Sequence, residues 1–117
     1  MSTDSILKQK SKAFAKRIVL LYKYLSQERW EFVMAKQVLR SGTSIGANIA
    51  EAVYGSSRRD FVAKLQIARK EAAETIYWLE LLWDCSYLPD ALYHSLRDDC
   101  CEIMAMLSAS IKSCAES

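Results

Sequence analysis

The chain has 117 residues, enough for one hydrophobic core and too few for two. With 51% hydrophobic and 26% charged residues but only three Gly and one Pro, the composition excludes a disordered or turn-rich β protein and favours ordered helices joined by short loops. The net charge of +2 conceals a gradient: residues 1–40 hold nine Lys/Arg against three Asp/Glu, residues 41–70 five against two, and residues 71–117 two against nine. Such a basic-first, acidic-last chain either pairs its helices within a bundle or between subunits, or presents a basic face to a polyanion.

The start, Met1-Ser2-Thr3-Asp4-Ser5, is polar and leads into a lysine-rich segment, without the apolar core of a signal peptide. The longest apolar run, Ile76 to Trp83, is too short to span a membrane and carries Glu80. A soluble, cytoplasmic protein with no membrane partner is expected. A first helix is predicted over Ser5–Leu25 with Asp4 as its N-cap. Leu7, Phe14, Ile18, Leu21 and Leu25 share one face, and Lys8, Lys12, Lys16 and Lys23 the opposite one. Val19 and Leu20 interrupt the basic side, which suggests a cover from outside the monomer.

A second helix is predicted to start near Trp30, with Met34, Val38, Ile45, Ile49 and Val53 facing the core and Gly42 completing the stripe. Gly42, Gly46 and Ala50 fall four apart, a side-chain-poor line against which another backbone can approach. Glycine inside a helix costs about 1 kcal/mol relative to alanine, so two of them need a tertiary reason. Gly55-Ser56-Ser57 ends this helix, and Ser57 with Asp60 opens the third as a capping box with Asp in place of the usual Glu. The third helix carries Phe61, Leu65, Ala68, Ala72, Ile76, Leu79 and Trp83 on one stripe and stops before Leu88-Pro89. The fourth shows Leu92, Leu96, Cys100, Ile103, Leu107 and Ile111. No strand pattern, repeat or linker is visible, so the whole chain, residues 1–117, reads as one all-α domain, an antiparallel up-down-up-down four-helix bundle.

Catalytic constellations are missing from the sequence. A di-iron bundle needs Glu-x-x-His on two helices, and His94 is the single histidine. The Arg-to-His spacing of one group of helical ribonucleases fails because Tyr87, Leu88 and Pro89 stand upstream of His94, and no nucleophilic serine has a supporting motif. Cys85, Cys100, Cys101 and Cys114 match no zinc spacing and read as buried or half-buried thiols. No catalytic residue, metal or cofactor is therefore expected. Asn48, Glu51, Glu71 and Glu74 are the polar residues expected to be buried, and with Arg40 and Lys70 nearby the carboxylates are expected to form structural salt bridges. The helix-one lysines, then Arg58, Arg59, Lys64, Arg69 and Lys70, are the candidates for a polyanion surface. Lacking an aromatic ladder or a helix-turn-helix, such a surface would read the nucleic-acid backbone and be salt-sensitive.

At Arg40-Ser-Gly-Thr-Ser-Ile-Gly-Ala-Asn48-Ile-Ala-Glu51, then Asp60-Phe61-x-x-Lys64-Leu65-x-Ile67-Ala68 and Lys70-Glu71-Ala72-x-Glu74-Thr75-x-Tyr77-Trp78-Leu79, the sequence resembles the four-helix-bundle family also called 23S ribosomal RNA intervening-sequence proteins. The likeness covers helices one to three, with Arg40, Gly42, Gly46, Asn48, Glu51, Lys64, Glu71 and Glu74 as its structural positions. It implies a ring-like homopentamer. It also implies kinship with the accessory variability proteins of diversity-generating retroelements, which work beside a reverse transcriptase and bind nucleic acid through basic surface. Two departures stand out: Gly55 and Ser56 where many relatives carry arginines, and Lys70-Glu71 where many have Gly-Ser. The expected function is a non-enzymatic, homo-oligomeric bundle serving as an accessory RNA- or DNA-binding factor without sequence specificity; the alternative is an adaptor for another protein.

Overall fold

The apolar stripes converge on one core in the computed structural model, which describes residues 3–55 and 57–116, with side chains for 5–55 and 57–115. Four helices fill this span: α1 Thr3–Gln27, α2 Val33–Val53, α3 Arg58–Asp84 and α4 Asp90–Glu116. Their direction follows from the side chains that meet. Lys8 reaches Tyr54 and Gly42 faces Ile18, Arg40 reaches Glu71 and Glu74 while Lys64 reaches Glu51, Arg97 approaches Glu80, and Lys10 meets Glu102 while Arg17 meets Asp99. Each neighbouring pair is thus antiparallel, α4 returns against α1, and the bundle measures 47 × 22 × 21 Å. The α1–α4 seam is the least closely packed of the four.

The core lines differ from the sequence reading in phase. In α2, Ala35 and Ala52 are fully buried, whereas Met34 is half-buried and Val53 is 45% exposed. In α3, Thr75 and Leu82 take the core positions beside Leu79, leaving Ile76 and Trp83 at the margin. In α4, Tyr93 is buried, and Leu92 and Ile111 are half-buried. The buried residues keep strict alternation of three and four, as Ala35, Val38, Gly42, Ile45, Ile49 and Ala52 do in α2, the 3.5-residue seam of a left-handed bundle, whereas the sequence lines took two steps of four in succession and so left the seam.

Helix starts also shift. α1 begins at Thr3, which puts Asp4 inside the helix instead of before it; the Asp4 side chain lies outside the described residues. α2 begins at Val33, because Trp30 sits in the left-handed backbone region at φ 54°. The buried Glu31 carboxylate then accepts the amides of Val33, Met34 and Ala35 at 3.1, 3.0 and 2.8 Å. Three of the four N–H groups that a helix start leaves without an intrahelical partner are satisfied by one side chain. α3 opens as expected, with Ser57 Oγ accepting the Asp60 amide at 3.1 Å; Ser56 lies outside the described residues. α3 closes at Cys85, Ser86 turns with φ 66°, and Pro89 precedes α4.

Of the four free cysteines, Cys100 is buried, Cys101 and Cys114 are half-buried, and Cys85 is exposed because it caps α3 beyond the core. Burial pushes the Cys100 thiol up to about 12, and its S–H points at the Ala72 carbonyl, 3.4 Å away. Among the described residues no helix is long and apolar enough to cross a membrane.

Candidate nucleic-acid interface

Two sets stand out among the basic residues. One set is neutralised within the chain: Lys10–Glu102 at 2.8 Å and Arg17–Asp99 at 2.7 Å join α1 to α4, Lys64–Glu51 at 3.5 Å joins α3 to α2, and Arg97–Glu80 at 3.9 Å joins α4 to α3. The hydrogen bond that Lys10 donates to Glu102, reinforced by the carboxylate's charge, raises the Lys10 ammonium above its ordinary value. The basic-first, acidic-last gradient is thus neutralised only in part between α1 and α4, at Lys10 and Arg17.

The second set is Lys8, Lys12, Lys16, Lys23, Arg58 and Arg59, all exposed and without an ion pair among the described residues. Helical geometry explains why. At about 100° per residue, Lys12, Lys16 and Lys23 fall within about 40° of arc on the outer side of α1, turned away from both the core and the acidic α4. Lys8 lies nearer α2, with its ammonium 5.8 Å from the centre of the Tyr54 ring at the α2 C-cap. Arg58 and Arg59 are the first two residues of α3, a few positions beyond Tyr54, so they share one end of the bundle with Lys8. Tyr54 is 80% exposed. The sequence reading missed it; the available signal was a large aromatic directly before the Gly55 that ends α2.

Between α1 and α2 an open groove of about 290 Å³ is floored by Thr43, Gly46, Ala47 and Ala50 and edged by Lys8 and Lys12. A second groove of about 270 Å³, between α1 and α4, is lined by Leu20, Leu21, Tyr24, Leu92 and Leu96 beside Arg17. Leu20 is 64% exposed there.

The family-type positions form a separate α2–α3 structure. Arg40 donates to Glu71 at 3.0 Å and to Glu74, and the Trp78 indole donates to Glu74 at 2.9 Å. The indole first, and Arg40 with it, holds the Glu74 carboxyl below its ordinary value, while Glu74 holds Arg40 above its own. The structural salt bridges expected of Arg40 are present, but Lys70 is exposed without an ion pair among the described residues. The burial expected of the four polar residues is not seen. Glu51 is exposed on Lys64, Glu71 and Glu74 are half-buried, and Asn48 is half-buried, donating to the Ser44 carbonyl at 2.8 Å. The buried polar residues are Ser11, Glu31, Ser41 and Thr75, with the Ser41 and Thr75 hydroxyls 2.9 Å apart across α2–α3. Small hydroxyls fit a close helix contact, whereas a carboxylate is buried only where it is fully hydrogen-bonded, as Glu31 is by three α2 amides. Arg69 donates to Ser108 at 3.5 Å. His94 lies edge-on to Trp83 and Tyr93, and no group of three His, Cys, Asp or Glu among the described residues could hold a metal.

The family described as 23S rRNA-intervening sequence protein matches residues 3–109. A solved crystal structure from Bacteroides thetaiotaomicron, described as a protein of unknown function from the S23 ribosomal protein family, is 55% identical, covers 95% of this chain and 99% of its own, and superposes with a TM-score of 0.94. That likeness takes in α4, which the sequence motifs did not reach. No curated protein matches the chain.

Proposed function

The chain belongs to the 23S rRNA-intervening sequence protein family, and on that footing we propose that it is a non-enzymatic, homo-oligomeric helical bundle that binds RNA or DNA in the cytoplasm as an accessory factor. The observation that carries the reading is the division of its cations: those facing α4, and those between α2 and α3, are spent on intrachain carboxylates, while Lys8, Lys12, Lys16, Lys23, Arg58 and Arg59 remain solvated and unpaired among the described residues. Phosphates can displace counterions from such a surface without competing with an internal salt bridge. Binding through it is sequence-tolerant and steeply salt-dependent.

Exposed apolar surface supports the homo-oligomeric part of the reading. Val19 and Leu20 expose apolar surface on α1, and copies around a ring would present the lysines multivalently. Light scattering at micromolar concentration is expected to give a multiple of 13.3 kDa, five subunits being the expected number. A persistent monomer would contradict this. The decisive test of the nucleic-acid role is Lys12→Glu with Lys16→Glu. Both side chains are exposed and unpaired, so the fold is retained, and fluorescence anisotropy with structured RNA and duplex DNA should show binding at low salt that weakens at least tenfold, on the order of two neutralised phosphates becoming repulsive. Undiminished binding of the reversed variant would remove this surface from the reading. Absence of any binding by the wild type would favour the adaptor role instead, for which the Leu20-lined groove is the structural support.

A further inference from the structure

The end of the bundle opposite Tyr54 carries an arrangement that packing alone does not explain. The α1–α2 connection is fixed at two points. Arg29 donates to the carbonyls of Tyr87 and Ser86 at 3.0 and 3.1 Å, with its guanidinium 5.0 Å from the Tyr87 ring centre. Glu31 donates its amide to the Leu25 carbonyl at 2.9 Å and holds the three α2 amides with its carboxylate. Between these anchors stands Trp30, at φ 54° and with 77% of its surface exposed.

A left-handed backbone is unfavourable for a bulky side chain, and glycine would adopt it with less strain. An indole in solvent gains no burial in return. What Trp30 adds is a projecting ring, held edge-on to exposed Phe32 at 6.4 Å between centroids, on a connection that cannot readily swing away. Strained residues held by a rigid surround mark places where the strained group itself is used.

The charge pattern selects the partner. Lys12, Lys16 and Lys23 run along the outer side of α1 toward this end, spanning about 16 Å at the helical rise of 1.5 Å per residue, and Lys36 in the first turn of α2 is also exposed and unpaired among the described residues. A row of cations along α1 and a fixed aromatic ring at the end toward which it runs match a chain of phosphates that carries accessible planar bases. Duplexes offer the phosphates but keep their bases stacked inside; an unpaired strand offers both. We infer that Trp30, braced by Phe32, is a stacking platform for a base of single-stranded RNA or DNA whose phosphates follow Lys12, Lys16 and Lys23. This rests on the nucleic-acid reading above and specifies the strand state and the contact.

The test compares the full chain and its Trp30→Ala and Trp30→Gly variants on three fluorescent probes of equal length at low salt: a twelve-nucleotide oligothymidine, an abasic strand of the same charge, and a duplex. Both variants are expected to fold, the glycine one with raised thermal stability, since it relieves the left-handed strain. They should lose about tenfold in affinity for oligothymidine, as base–aromatic stacking requires, with no change on the abasic strand, and Trp30→Tyr should restore most of the loss. The wild type should show tryptophan quenching with oligothymidine that disappears in both variants. Equal affinity of all three proteins for oligothymidine overturns the stacking contact and leaves the electrostatic reading standing. Failure of every probe to bind overturns both. A changed particle mass in the Trp30 variants, or a Trp30 response to anionic phosphatidylserine vesicles with none to oligothymidine, would assign the ring to a subunit contact or a membrane surface and overturn the proposal.

Discussion

Replacing Gly42 with leucine is expected to lower the stability of the bundle by about 3 kcal/mol or more, at the upper end of what overpacking a core costs. A bare Cβ at Gly42 would already lie 2.8, 2.9 and 3.2 Å from three side-chain carbons of Ile18. Ile18 is fully buried and β-branched, with one strongly preferred rotamer in a helix, so it cannot turn aside and α1 itself must move. The gain of about 1 kcal/mol in helix propensity offsets only part of this. Gly46→Ala should behave differently, staying within about 1 kcal/mol of the wild type, because propensity gain is set against only ordinary contact. Its nearest neighbours are the Ser11 backbone and hydroxyl at 3.4 to 3.5 Å, beside the open α1–α2 groove. Urea denaturation of both variants decides the point; equal losses would mean that the Ile18 side chain yields to a new side chain at Gly42.

Glu31→Ala should cost about 1–3 kcal/mol, the penalty for leaving a buried amide without its acceptor and a helix start without its cap. The Ala35 amide bears most of it, since Ala35 is fully buried, whereas the exposed Val33 can turn to water. Glu31→Gln keeps one acceptor oxygen but loses the charge that complements the α2 N-terminus, worth about 0.3–1 kcal/mol at exposed sites, and should fall between the two. Thermal melts of the three proteins provide the measurement. Identical melting of Glu31→Ala and the wild type would show that water replaces the carboxylate without loss.

These two positions also show how far the residues alone can be read. The bundle, the Ser57 cap and the break before Pro89 follow from local rules of period, capping and ring geometry, and all three are in the structure. Gly42 and Gly46 look equivalent on a helical wheel; what separates them is the residue opposite, Ile18 or Ser11, which depends on the register between helices. Glu31 caps from one place before the usual position, reaching past Phe32, so the familiar Ser/Thr/Asp/Asn signature is missing. Among the cations, the helical period already set Lys8, Lys12, Lys16 and Lys23 apart from Lys10; what it could not name is the partner of Lys10, Glu102, which lies on another helix. The projecting Trp30 was hidden for a third reason: a positive φ at a non-glycine residue leaves no mark in composition or period.

The thinly packed seam between α1 and α4 sets an order of events. Its ion pairs join residues 92 and 82 positions apart, whereas α1–α2, α2–α3 and α3–α4 are hairpins with short connections. Hairpins close small loops and form early; the terminal helices meet only after the longest loop in the fold has been closed, and an exposed pair such as Lys10–Glu102 returns little for it. During synthesis α1 can therefore find α2, and α2 can find α3, while one flank of α1, with Leu21 and Tyr24, still waits for Leu92 and Leu96. The nascent three-helix intermediate carries an open apolar side until α4 arrives, and that interval is when the chain is most exposed to a wrong partner.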